Sequence, residues 1–383
     1  MPPSAGQSVQ REPVAEPVSL RQATASDNAA LLRLFSDSGM AARFSLTTLR
    51  DPDYFALSRL QGESVRVGVA EAPGAGVVGC VAMARRTVWL GGSPSPAAYG
   101  HDLRVLPGHR GRGIGDGLLA WANVCAEELV GANGVAFGAT LVGNRAIERR
   151  KEGIRGLPAF QDAAWMRVYT IFAAGLRRAS RPDPKVRLAE PGDCAAFAQL
   201  WTEIAPAREL APVMGLDRFA HVMQRWPGLG TGSFLVIEER GEPAAFLALW
   251  DQRGLRTIRV DSYPAPVGVI RAAYNVFRLL HRGARLPAIG EVLNAPAILF
   301  PCVPPDRPDL LQALLGAAAD QCSALRLPAF TIALDRTDPL SAALSGIPAV
   351  ATDFRVYLTS PAGRYAGPAL RPGHPVHFEH ALV

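Results

Sequence analysis

The spacing of apolar residues changes along the chain, and each change predicts an element. Val18-Ser19-Leu20-Arg21 starts as an extended run. After Ala25-Ser26-Asp27, residues suited to a helix N-cap region, Ala30, Leu31, Leu34 and Phe35 share one helical face. Residues 45–60 read as a second, loosely amphipathic helix. Residues 64–72 and 77–90 read as two strands joined by the turn Pro73-Gly74-Ala75-Gly76. Tyr99, His101, Leu103 and Val105 then alternate with their neighbours, which predicts a half-buried strand with those four on one face and Asp102 on the other. Pro107-Gly108 ends that strand. Ile114, Leu118, Trp121, Ala122, Cys125 and Leu129 recur at helical spacing, predicting a helix over 114–130. A strand over 134–142, a polar helix from Asn144 to about Glu152 and a strand over 165–172 complete this part.

The pattern then restarts. Residues 173–185 have the composition of a linker. Beyond them, Leu20-Arg-Gln-Ala-Thr-Ala-Ser-Asp27 aligns with Val186-Arg-Leu-Ala-Glu-Pro-Gly-Asp193. The helix Asn28-Ala-Ala-Leu-Leu-Arg-Leu-Phe35 aligns with Cys194-Ala-Ala-Phe-Ala-Gln-Leu-Trp201. Gly153-Ile154 followed by Met166-Arg-Val-Tyr169 echoes Gly346-Ile347 followed by Phe354-Arg-Val-Tyr357. The expected organisation is a tail at 1–17, a unit at 18–172, the linker, a second unit at 186–360 and a tail at 361–383. The second unit carries an additional helix near 267–281.

The strand ending at Val105 is followed by a stretch with glycines at 108, 111, 113, 115 and 117 that runs into the helix starting at Ile114. Strand, glycine loop and helix N-terminus together suit an anion: unbonded N–H groups converge there and the helix dipole favours negative charge. Arg110 and Arg112 add charge-assisted donors. No Gly-Lys-Ser/Thr is present and the GxGxxG spacing is missing, so neither a P-loop nor a dinucleotide fingerprint fits. In the second unit the corresponding stretch is Pro304-Pro305-Asp306-Arg307-Pro308-Asp309, with two aspartates and no glycine, a poor anion site.

Arg110-Gly111-Arg112-Gly113-Ile114-Gly115 resembles the Arg/Gln-x-x-Gly-x-Gly motif of the GNAT (Gcn5-related) N-acetyltransferase family. The strand before it and the Leu118-Leu119 helix after it strengthen the likeness. The resemblance implies an α/β fold, an α+β mixed sheet, here as two tandem GNAT-like acyl-CoA N-acyltransferase domains with the second degenerate. It implies acetyl-CoA as cosubstrate, no metal, and a small-molecule or peptide amine as acceptor. The pyrophosphate would rest on Arg110, Gly111, Arg112, Gly113, Ile114, Gly115 and Asp116, and the pantetheine along the backbone of Leu103 and Val105, with Asn144 touching it.

Acyl transfer to an amine needs a deprotonated amine, a stabilised oxyanion and a proton for the departing thiolate. His101 is the candidate base, since it lies on the strand the resemblance places at the acyl group and titrates near working pH; Tyr99 is the second candidate. The family's tyrosine acid is replaced by Lys151, and Tyr169 on a later strand is not its equivalent. A non-enzymatic acyl-CoA-binding protein and a transferase of longer acyl chains therefore stay open beside an acetyltransferase. The tail histidines His374, His377 and His380 read as surface residues rather than a metal site.

Composition narrows the rest. Across 383 residues, 49% are hydrophobic and 19% charged, which is the balance of a globular protein with a real core. The net charge of +6 is almost all arginine, Lys151 and Lys185 being the only lysines, and no basic block marks a nucleic-acid surface. Five scattered cysteines without CxxC spacing suit a reducing compartment. With neither a signal-like apolar segment at the start nor a bilayer-length run, the expectation is a cytoplasmic protein, with a homodimer left open.

Overall fold

The computed structural model describes residues 18–38, 45–149, 153, 157–176, 185–263, 265–281, 284–368 and 370–382. The expected tail at 1–17, Lys151, Ile154 and most of the linker lie outside the described residues.

The first half runs β1 (Ser19–Gln22), α1 (Asn28–Asp37), β2 (Ser45–Leu49), α2 (Tyr54–Ser58), β3 (Ser64–Ala72), β4 (Gly76–Leu90), β5 (Ser93–Val105), α3 (Ile114–Val130), β6 (Val135–Leu141), α4 (Arg145–Glu148), β7 (Gln161–Phe172) and α5 (Ala173–Leu176). The second runs β8 (Val186–Leu188), α6 (Cys194–Ile204), α7 (Leu216–Arg225), β9 (Phe234–Glu239), β10 (Glu242–Trp250), β11 (Thr257–Ser262) and α8 (Ala265–His281). It continues with β12 (Val292–Leu293), β13 (Ala297–Cys302), α9 (Pro308–Ala324), β14 (Ala329–Asp335) and β15 (Ala349–Thr359).

Twelve strands form one sheet in the order β1-β3-β4-β5-β6-β15-β7-β14-β13-β10-β9-β8. Read from either end, the sequence of strand types is the same, except that the last strand of each half sits beside the other half. β15 pairs antiparallel with β6, and β7 with β14. The two echoing segments found in the sequence meet at the centre, where Phe354 faces Met166. In each half the first helix covers one face of the sheet and the longest core helix the other. Leu31, Leu34 and Phe35 of α1 pack with Cys80 and Ala82, while Ile114 and Leu118 of α3 pack with Val81 and Met83. Likewise Phe197 and Trp201 of α6 pack with Phe246, and Leu310 and Leu314 of α9 with Leu247.

The aligned sequence starts share one piece of local chemistry. Arg21 Nη1 and Nη2 each lie 2.8 Å from an Asp27 carboxylate oxygen, and that carboxylate also accepts from Thr24 N at 2.7 Å. Arg187 holds Asp193 at 2.7 and 2.8 Å, and Glu190 N donates to Asp193 at 2.7 Å. An aspartate in the first turn complements the N-terminus of the helix that follows. Arg21 draws the Asp27 carboxyl down to about 2.

Three expectations change. Residues 45–49 are not helical: β2 pairs with β11, with Thr47 against Arg259, in a three-stranded sheet. Thr47 and Thr48 are β-branched, and a strand more than 200 residues away completes the ladder, so no local pattern could announce it. The start of the linker, Ala173 to Leu176, is a buried turn of helix against α9. The C-terminal stretch is interior rather than surface: His377, Phe378, Glu379, His380, Ala381 and Leu382 are all buried. Gln61 Nε2 donates to Leu382 O, and Gln252 Nε2 to Ala381 O at 2.6 Å.

Exchange of the last strands means that a fragment of residues 1–178 would lack β15 from between β6 and β7. We expect that fragment alone to aggregate through the exposed edges, and to give a single soluble complex when co-expressed with residues 185–383. Size-exclusion chromatography decides it; a monodisperse, cooperatively melting 1–178 would refute the dependence.

His380 gives a pH signature. Its Nε2 lies 2.8 Å from Thr331 Oγ1, and burial, helped by Arg256, lowers its pKa to about 3. The unfolded chain would protonate near ~6.5, so stability is intact above that pH and falls as pH drops toward 3. The loss approaches about 1.4 kcal/mol per pH unit. Urea unfolding between pH 7 and 4.5 should show a shallower decline in His380→Gln; equal declines would contradict this.

Candidate active site

The site begins where two parallel strands part. β5 and β6 pair only from Ala97–Val135 to Gly100–Gly138, although β5 runs on to Val105 and β6 to Leu141. Each is held by its outer neighbour: β4 pairs with β5 as far as Val105, and β15 with β6 as far as Leu141. The strands therefore diverge into a fork, leaving the backbone of 101–105 without a ladder partner on that side. A glycine suits the apex, since a Cβ at Gly138 would lie 3.0 Å from Gly100 O, a tight contact.

β5 leads straight into the glycine loop. Arg110 Nε donates to Val105 O at 3.0 Å, folding the loop back on the strand end. Gly111 and Gly113 take left-handed conformations, φ 80° and 81°, and Gly113 is the N-cap of α3. Nothing lies within 4 Å of a Cβ built at Gly111, Gly113 or Gly115, so the loop presents an open backbone surface. Asp116 and Gly117 already donate to Gly113 O at 3.0 Å. That leaves the N–H groups of Ile114 and Gly115 as the helix-end donors, beside the exposed Arg112. Asp116 thus supplies no backbone donor of its own.

Along β5 the simple alternation fails, and the failure shapes the site. The register slips between Cys80 and Ala82, so that Arg104 faces Cys80 while His101 faces Ala82. Asp102 is the extra residue, with φ 58°, an uncommon conformation for a residue other than glycine. His101 and Asp102 consequently stand side by side on the face of Tyr99, and Leu103 and Val105 fall on the opposite face, toward α3. A two-residue period does not hold across 101–105.

Asp102 is the hub of a buried cluster. Arg50 grips it in bidentate fashion at 2.7 and 2.9 Å, and Tyr54 Oη donates to it at 3.0 Å. Burial pushes the Asp102 carboxyl up, but Arg50, with His101 and Arg104, outweighs it and holds the group well below the usual range. Removing Asp102 would leave Arg50 buried and unpaired, a loss on the order of 3–5 kcal/mol, which marks the aspartate as structural first. Nothing in the sequence pattern singles out Arg50 or Tyr54, because their partner is some 50 residues away and neither sits in a recognisable motif.

His101 Nδ1 lies 3.2 Å from Asp102 Oδ2, yet neither ring nitrogen makes a hydrogen bond of good geometry. Burial lowers its pKa against the pull of Asp102, so the imidazole is neutral at pH 7. A buried polar atom left over calls for an explanation, and one arriving at the fork fits. Tyr99 stacks on His101 at 5.2 Å, under the guanidinium of Arg86 at 3.9 Å, and burial raises its phenol to about 12. Asn144 begins α4 but its side chain does not cap it: its amide donates to Thr140 Oγ1 at 2.8 Å, back onto β6 on the same side of the fork. Tyr169 lies on β7 opposite Ile332.

A second fork, between β13 and β14, has the same construction. The two strands pair at Ala297–Thr331, and Phe300 has φ 51°, at the place Asp102 holds in β5. This fork is filled by the chain itself. Glu379 Oε1 accepts from Phe300 N at 3.2 Å, and His380 reaches Thr331 from the same segment. The loop after it is closed by charge pairing, Arg307 bonding both Asp309 and Glu239. His374 and His377 are likewise engaged, with Ala207 O at 2.9 Å and with Glu379 at 2.6 Å. No helix among the described residues is long and apolar enough to cross a membrane.

Residues 28–148 match the family model described as Acetyltransferase (GNAT) family. A sequence search of the curated proteins finds no match. Among solved structures, the chain is similar to a GCN5-related N-acetyltransferase from Sphaerobacter thermophilus, at 14% identity and TM-score 0.56, covering 90% of this chain and 96% of that one. It is also similar to Saccharomyces cerevisiae N-myristoyltransferase with bound myristoyl-CoA, at 11% identity and TM-score 0.61, covering 97% and 88%. A glucosamine N-acetyltransferase region of a fungal multi-domain protein gives TM-score 0.57 at 11% identity, covering 93% of this chain and 39% of that one. The fork, the glycine loop and the family match fall on the same residues: 28–148 match the acetyltransferase (GNAT) family, within a mixed α/β fold similar to that of the N-acetyl- and N-myristoyltransferase structures compared.

Proposed function

We propose that the protein is an N-acetyltransferase that moves an acetyl group from acetyl-CoA to a primary amine, with one donor site per chain. The observation that carries this reading is the continuity of the β5–β6 fork with the glycine loop at the N-terminus of α3. The fork offers unpaired backbone to an extended pantetheine, and the loop offers Ile114 and Gly115 N–H groups with Arg110 and Arg112 to a pyrophosphate. The chain is read as two tandem GNAT-like units, 18–172 and 186–360. The matched Arg21–Asp27 and Arg187–Asp193 pairs and the positive-φ residues Asp102 and Phe300 support that division. Only the first unit binds the donor, because the second fork holds the C-terminal segment and its loop lacks glycine.

In the reaction, the amine nitrogen attacks the thioester carbonyl carbon and the C–S bond breaks. The proton leaves nitrogen for His101 and passes to the departing sulfur, giving the N-acetyl product and free coenzyme A. His101 suits that work because burial keeps it neutral and its nitrogens are uncommitted. Tyr99 orients it by stacking and keeps its own proton.

Calorimetry with acetyl-CoA should give one site per chain. Gly113→Glu should abolish binding by putting a charged side chain on a left-handed residue in the anion cradle, whereas Arg307→Glu should leave it intact. Two equivalent sites, or loss in the Arg307 variant alone, would overturn the assignment.

His101→Ala should keep donor affinity and lower thiol release ~10²–10⁴-fold across an amine panel. Unchanged turnover would remove His101 from the mechanism. Donor binding with no acetylated amine would favour a non-enzymatic acyl-CoA binder, and faster turnover with a longer acyl-CoA would reassign the donor.

A further inference from the structure

A shallow, partly open cleft lies beside the fork. Phe137, one residue before the last rung of the β5–β6 ladder, lines it, and the same ring packs on Tyr99 at 5.1 Å. Its apolar wall also includes Met214, Trp226, Phe300 and Phe378, so both halves of the chain and the C-terminal segment build it. If the donor occupies the fork as proposed above, this cleft is where an acceptor meets it.

The charges around the cleft do not cancel. Arg218, in the first turn of α7, lines it half-buried and makes no hydrogen bond or ion pair among the described residues. Arg86 lines it as well. Its Nη2 donates to Gln61 Oε1 at 2.7 Å, its Nε donates to Gln61 O, its plane covers Tyr99, and the Glu379 carboxylate favours its charged form from a distance without a direct ion pair. Burial lowers its pKa to about 10, so it is charged at neutral pH. The single carboxylate lining the cleft is Glu379, and its Oε1 is already taken by His377 Nε2 and Phe300 N. Two guanidiniums, Arg218 without an acidic partner among the described residues, thus face a largely apolar space against one carboxylate that is already hydrogen-bonded. A polycationic amine would be repelled there, while a guanidinium with free donors is a ready carboxylate receptor.

We propose that the acceptor is an amine that also carries a carboxylate: an amino acid, or an amino-acid-like compound, with an apolar body. Its carboxylate sits against Arg218 and Arg86, its side chain against Phe137, Met214 and Trp226, and its amine is left toward the fork. The reading rests on donor binding at the fork. It assigns Arg218 as the residue that selects the acceptor's charge.

The test uses the full-length chain saturated with coenzyme A and titrated calorimetrically with three probes: L-phenylalanine, L-phenylalaninamide and spermidine. L-Phenylalanine should bind at least about 10-fold more tightly than the amide, the range of one charge-assisted hydrogen bond. Arg218→Gln should erase that preference without changing coenzyme A affinity, and Arg218→Lys should restore part of it. The inference is overturned if L-phenylalanine does not bind, if the amide or spermidine binds as tightly, or if Arg218→Gln leaves the ratio intact. Coenzyme A binding is read in the same experiment. If it is present, such a failure concerns the acceptor alone; if it is absent, the donor assignment fails and this inference falls with it.

Discussion

Strands β7 and β15 lie side by side at the centre of the sheet, each beside the other half's neighbour, and much of the architecture depends on that exchange. β15 holds the far edge of β6 along its length, and β7 holds β14. With their outer edges fixed, β6 and β14 cannot follow β5 and β13, and each parallel pair opens after a few rungs or fewer. The forks follow from backbone pairing rather than from any special side chain. They are stiff because every strand beside them is paired on its outer edge.

Two forks of one construction have different contents. At the first, the extra residue is Asp102, and its strained backbone is held by Arg50 and Tyr54 in a buried cluster. At the second, the extra residue is Phe300, whose N–H is taken by Glu379 from the chain's own end. Backbone strain of this kind, on the order of 1–3 kcal/mol, persists only where surrounding contacts insist on it. In one half those contacts leave a groove; in the other they seal it. The sealing segment also reaches back to Gln61 of the first half and lines the cleft beside the open fork, so closing one site and building the other are the same act of packing.

Charge follows the same logic. Arg50 is buried in a bidentate pair with the Asp102 carboxylate that neutralises its charge, so its role is structural. Arg218 is left without an acid among the described residues, and Arg86 has only the distant pull of Glu379, at a place where the apolar lining would make an unpaired charge costly if water could not reach it. Their availability distinguishes a recognition surface from a structural ion pair.

Much of this is legible in the amino-acid sequence itself. The period of apolar residues marks β1, α1, β3, β4, α3 and β6, and in the second half β8 and α6, since each element buries a face against a sheet and local spacing records it. The glycine loop is legible because left-handed residues at 111 and 113 admit few alternatives to glycine. What the sequence does not hold is decided by partners far away along the chain. β2 looks helical until β11 pairs with it, and the C-terminal segment looks polar until Glu379, His377 and His380 find Phe300, one another and Thr331. His101 stands out in the sequence, but the alternation assigns its strand neighbours to the wrong faces, because a single extra residue at Asp102 turns the strand. A bulge is fixed by register against β4 and by Arg50's grip, and neither leaves a trace in the local pattern. Local chemistry determines the elements and the anion loop; long-range pairing alone decides where the strands part and what lies between them.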